Sequence, residues 1–153
     1  MSKIATMAAL AGLAMIGFAG TAAAQNETPG THAGPAFAVP LTGREEAPGP
    51  GDPDGLGRAK VTLHSNQVCF ELEAHLIGAA TAAHIHRGAV GVAGPILITL
   101  SPPTSGKSQG CVHADPHLIE EIRTHPAAFY VNVHNAEYPA GAIRGQLPGG
   151  GEK

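Results

Sequence analysis

"QVCFELEAHLIG" (Gln67–Gly78) sets Val68, Phe70, Leu72, Ala74 and Leu76 on one face and Cys69, Glu71, Glu73 and His75 on the other. Successive side chains of an extended backbone point to opposite faces, so this alternation predicts a strand laid over a core. "RAKVTLH" (Arg58–His64) alternates in the same way just before it, and Ser65-Asn66 supplies the turn between them.

Working outward, "AFAVPLTG" opens the strand series and "EEAPGPGDPDGLG" forms a long polar loop. "TAAHIH" follows, with Ile85 facing in and His84 and His86 facing out. "PILITL" (Pro95–Leu100) predicts a short apolar strand, and "SPPTSGKSQG" a loop leading to Cys111. "AFYVNVH" (Ala128–His134) faces Val131 and Val133 inward and Asn132 and His134 outward, and "GAIRGQL" (Gly141–Leu147) closes the series. In "DPHLIEEIRTHP", Asp115 can cap a helix, Pro116 suits its first position, Leu118, Ile119 and Ile122 share a face, and Pro126 ends it. Seven strands and one short helix predict an all-β antiparallel sandwich.

Composition agrees with many short strands. The chain has 21 glycines, 13 prolines and no tryptophan. Its net charge of −3 argues against a nucleic-acid partner, which would require a basic face. Residues 1–24 read as a secretory leader: Lys3, an apolar run from Ile4 to Ala19, and an Ala22-Ala23-Ala24 end. Residues 25–35 have linker composition, residues 36–147 make one domain, and residues 148–153 a tail. No other apolar run nears the roughly 18 residues of a membrane span. The mature chain is therefore expected to be secreted or periplasmic, where Cys69 and Cys111 would form a disulfide.

A His-x-His pair on a strand projects both rings from one face, about 7 Å apart at the alpha carbons. Imidazole nitrogens bind copper or zinc at about 2 Å, so His84 and His86 can share an ion if a neighbouring strand brings a third ligand. His134, in the same outward phase, is the candidate, with His75 as a possible fourth. Gly88, Gly91 and Gly94 would leave the ion open to small molecules. The pair fits equally well as caps on strand edges. His64, His113, His117 and His125 read as surface residues, and His32 as part of the linker. Arg144 shares the outward parity of Ala142 and Gln146. It could draw in a small anion beside a metal, or pair with Glu137 or Asp115.

"AAHIHRGAVGVAGPI", "FYVNVHNAEYPAGAIRGQL" and "VCFELEAHLIG" together resemble the CHRD family, the chordin-type domain of secreted proteins, over about Ala36–Leu147. Members usually carry an acidic residue before "IRGQL", where this chain has Ala142. A more distant resemblance is to copper-zinc superoxide dismutases, which are Greek-key sandwiches. Their copper ligands include a His-x-His and a later strand histidine, followed by an arginine that guides the anion. His84, His86, His134 and Arg144 fall in that order here, but no histidine lies between Arg87 and Gly110, so the bridging ligand and zinc loop are missing.

The resemblance implies a Greek-key fold of the immunoglobulin or superoxide dismutase type with a copper-only site and no organic cofactor. It also implies an oxidoreductase that disproportionates superoxide to oxygen and hydrogen peroxide, with Arg144 attracting the anion. Two alternatives accompany it: a non-enzymatic extracellular binding or adhesion module, and a periplasmic copper carrier.

Overall fold

The chain forms eight strands in the computed structural model, which describes residues 34–149. They are β1 (Ala36–Thr42), β2 (Leu56–Leu63), β3 (Gln67–His75), β4 (Ala80–Arg87), β5 (Ile96–Leu100), β6 (Lys107–His113), β7 (Phe129–Asn135) and β8 (Ile143–Gln146). One helix, α1 (Pro116–Thr124), joins β6 to β7. The expected leader, the linker except Gly34 and Pro35, and residues 150–153 of the expected tail lie outside the described residues.

Every pairing is antiparallel, and the strands run in the order β5-β4-β7-β8-β1-β2-β3-β6. β5 and β6, at the two ends of this order, approach one another, so the sheet nearly closes on itself. β7 returns after β5, β6 and α1 to lie beside β4, the long return connection of a Greek key. The result is the all-β architecture with one short helix that the alternation predicts.

The interior is filled by the inward positions of the strands. Val61, Leu63, Val68, Ile85, Val131, Val133 and Ile143 are completely buried, and Leu72 nearly so. Helix α1 covers one end with Ile119 and Ile122. Its cap is the expected one, the Asp115 carboxylate accepting from the backbone N–H of His117 at 2.7 Å and of Leu118 at 3.4 Å. Among the described residues no helix is long and apolar enough to cross a membrane.

Three expectations are corrected. The loop expected over "SPPTSGKSQG" ends early, because Lys107–Gly110 belong to β6, an eighth strand paired with β3. Both faces of β6 are largely exposed, so its sequence carries no apolar alternation. Leu76 does not extend the buried face of β3. The strand ends at His75, and Leu76 turns into the left-handed region with φ of 59° and 64% exposure. Asn132 and His134 point away from the core as expected but are not exposed, and neither is any other residue of β7. Loops cover this outer face, as described below.

Cys69 and Cys111 sit directly opposite one another on β3 and β6 and form the expected disulfide. It ties the edge strand β6 to the sheet across a sequence separation of 42 residues. Restricting the unfolded chain in this way is worth about 2–4 kcal/mol. Reduction is expected to lower the unfolding free energy measured in urea by that amount, with a mass shift of two alkylated cysteines appearing only after reductant. A chain that takes up alkylating agent without reduction would contradict the bond.

Candidate metal centre

The outer faces of β4, β7 and β8 carry two neighbouring cross-strand rows of polar side chains. In one, His84, Asn132 and Arg144 are register partners, and in the next, His86, Tyr130 and Gln146. His134 lies two residues beyond Asn132 on β7, opposite Ala82. The period of two that buries Ile85, Val131 and Val133 also gathers these polar groups on the opposite face.

His84, His86 and His134 converge. Each offers a ring nitrogen within 4.8 Å of the others, and His84 Nδ1 lies 3.1 Å from His134 Nε2. Two of the rings are fixed from behind by backbone carbonyls. His86 donates from Nδ1 to Gly94 O at 2.9 Å, and His134 from Nδ1 to Pro139 O at 3.1 Å. A neutral ring whose Nδ1 carries the proton keeps its lone pair on Nε2. Both Nε2 atoms therefore serve as acceptors, and that of His86 is buried without any partner. Backbone-anchored imidazoles of this kind are the outer-shell arrangement that orients metal-binding histidines.

Electrostatics keep the rings neutral. Burial drives His84 down to about 4, helped by the neighbouring His134 and His86. Burial also lowers His86 and His134, outweighing the carbonyl bonds to Gly94 and Pro139 that favour their charged forms. At neutral pH all three present lone pairs, the protonation state metal binding requires. His84 is the least buried, so the centre opens on its side.

The other predicted residues are placed differently. His75, the possible fourth ligand, stands exposed on β3 with its ring 3.9 Å from the Glu73 carboxylate, outside the three-histidine group. Arg144 keeps the expected outward parity on β8, but it is 1% exposed, and among the described residues it forms no salt bridge with Glu137, Asp115 or any other carboxylate. Its guanidinium donates to Val92 O at 3.0 Å, Ala89 O at 2.8 Å and Gln146 Oε1 at 3.3 Å, and lies 3.4 Å from the centre of the Tyr130 ring. Tyr130 in turn stacks on His86, with ring centres 4.8 Å apart.

The glycine-rich turn after β4 is thus pinned at several carbonyls. Arg144 holds Ala89 and Val92, Gln146 holds Gly88 at 2.8 Å, and His86 holds Gly94. Gly91, at φ 75°, lets the chain reverse between them.

Glu46 belongs to the stretch "EEAPGPGDPDGLG", whose composition marks only a polar loop. Its carboxylate accepts from Asn132 Nδ2 at 3.3 Å and fills a slot where a Cβ on Gly51 or Gly141 would collide with it. Next to Gly141 stands the fully buried Ala142. Burial raises Glu46 to about 7, against the opposing pull of Arg144, Asn132 and the Ala47 N–H. No periodicity marks this residue, because its contact with Asn132 spans 86 positions.

The raised pKa has a defined sign. The unfolded carboxyl titrates near 4.5, so the proton held by the folded chain stabilises it fully below that pH, and this contribution is lost as pH rises through about 7. The depressed histidines act oppositely, stabilising above 6.5 and losing this as pH falls, for His84 through about 4. Glu46→Gln removes the first effect and keeps the second. The variant is expected to gain roughly 2–3 kcal/mol over the parent between pH 5 and pH 8 in urea unfolding. A difference that stays constant with pH would contradict the assignment.

In comparisons with known proteins, the family model described as the CHRD domain matches residues 37–147. No curated protein and no solved structure matches the chain.

Proposed function

The chain belongs to the CHRD-domain family; from that membership and the converging imidazoles we propose that His84, His86 and His134 bind one copper ion in an exported protein that removes superoxide. The observation that carries this reading is the buried, partnerless Nε2 of His86 beside two further imidazole nitrogens. A buried acceptor without a donor is costly, and a cation satisfies it directly. Three neutral imidazoles suit both zinc and copper, and among divalent first-row ions copper binds such donors most tightly.

Bound copper supplies one-electron oxidation and reduction, the chemistry superoxide disproportionation needs. The protein's part is to hold three ligands rigidly, two of them through Gly94 O and Pro139 O, and to leave the side of His84 open. Export is supported by the leader-like residues 1–24 and by the Cys69–Cys111 disulfide. Arg144 acts here as a clamp on the glycine turn.

One observation favours the copper carrier as a second reading. Arg144 is buried and committed to carbonyls, so it leaves no free guanidinium to guide an anion. Metal analysis of the purified chain together with a superoxide assay separates the readings. One equivalent of copper with turnover supports the oxidoreductase, and tight copper without turnover selects the carrier. Absence of copper affinity would end both.

A further inference from the structure

Among the described residues Arg144 carries the only buried guanidinium, and no carboxylate pairs with it. Its partners are the carbonyls of Ala89 and Val92 and the amide oxygen of Gln146, which accept its protons without cancelling its charge. Glu46, a carboxyl that feels this charge, keeps its proton below about 7 because it is buried.

The charge stands one aromatic ring from a histidine of the centre. β7 lies between β8 and β4, so Arg144 and His86 approach Tyr130 from its two sides. The guanidinium carbon is 3.4 Å from the ring centre, and the His86 imidazole stacks within 7° of parallel at 4.8 Å between centres. Gly94 locks the stack from both members. Its N–H donates to the Tyr130 hydroxyl at 3.1 Å, while its carbonyl accepts from His86 Nδ1 at 2.9 Å. A Cβ on Gly94 would strike the Arg87 carbonyl, so a residue without a side chain brings the peptide this close. The remaining His86 nitrogen, Nε2, is buried without a partner.

A fixed positive charge repels a divalent ion twice as strongly as a monovalent ion in the same place, and burial leaves that repulsion poorly screened. Three neutral imidazoles bring no negative charge to offset it. We propose that the Arg144–Tyr130–His86 stack sets the charge preference of the three-histidine centre, favouring monovalent copper over cupric and zinc ions. Tyr130 and Arg144 are positioning residues here, acting through His86. The inference rests on the copper reading above and adds an oxidation state to it, but it does not require superoxide turnover.

The test is competition against chromophoric chelators, giving separate affinities for Cu(I), Cu(II) and Zn(II) below the titration of Glu46. The parent is expected to take Cu(I) in preference to Zn(II), and the reverse order overturns the proposal. Arg144→Met deletes the charge, and Gln146→Glu keeps the guanidinium but pairs it. Either is expected to lower the Cu(I)-to-Cu(II) affinity ratio about tenfold, a fall of about 59 mV in the copper potential. Arg144→Lys keeps a cation and Tyr130→Phe keeps the ring, so both are expected to hold the ratio even where every affinity weakens. Loss of packing alone moves the affinities together, and an unchanged ratio in Arg144→Met and Gln146→Glu overturns the proposal while leaving the copper reading in place. A shifted ratio in a chain that removes no superoxide ends the oxidoreductase reading and leaves this one standing. Failure to bind any of the three ions ends both.

Discussion

His134→Ala is expected to lower copper affinity by more than about a hundredfold, because removing an outer-shell partner of a metal ligand alone costs about 10–100-fold and this change removes a ligand itself. His134 is the one proposed ligand from outside β4, brought to His84 by strand pairing across 50 residues. Without it, His84 and His86 remain two residues apart on one strand, an arrangement common on protein surfaces and weak as a chelate. Titration against a competing chromophoric chelator reads the change. His75→Ala, which alters an exposed ring outside the group, is expected to leave affinity unchanged. Equal losses in both variants, or wild-type binding by His134→Ala, would refute the assigned ligand set. The fold is expected to survive, since the substitution takes a hydrogen-bond partner only from Pro139 O and from the part-buried His84 ring.

The second large effect concerns Arg144, the bulkiest of the fully buried side chains. Arg144→Ala opens a cavity, frees the carbonyls of Ala89 and Val92, and removes the cation over Tyr130. Large-to-small changes and lost charged hydrogen bonds together put the cost at about 3–5 kcal/mol. In a domain of this size that corresponds to a fall of at least about 10 °C in Tm. The loss also reaches the metal centre by two routes. The glycine turn that Arg144 holds carries Gly94 O, the partner of His86 Nδ1, and the Tyr130 ring that the guanidinium contacts also stacks on His86. Copper affinity is expected to fall about 10–100-fold even though no ligand changes. Arg144→Lys is expected to rescue little, because an ammonium cannot present two parallel N–H groups and a flat face together. Full recovery by lysine would mean that charge alone matters and the clamp does not.

Much of the architecture is legible in local sequence. The alternation through β2 and β3 and the capped start of α1 depend on neighbours a few residues apart, so they appear in a single reading of the chain. β6 is not legible in this way. Its residues KSQGCVH gain their strand geometry from hydrogen bonds to β3, and an exposed edge places little demand on side-chain type.

The three-histidine site divides in the same manner. Sequence by itself determined that His84, His86 and His134 share the face opposite the core, because parity along an extended strand is fixed by covalent geometry, and it determined that the two cysteines could pair. Only the tertiary structure decided that this face is covered, that Arg144 is a buried clamp, that His75 is excluded and that Glu46 arrives beside Asn132. Parity fixes direction, whereas burial and partnership depend on which loops fold back over a surface, and those contacts join residues 50 to 86 positions apart with no shared period to announce them.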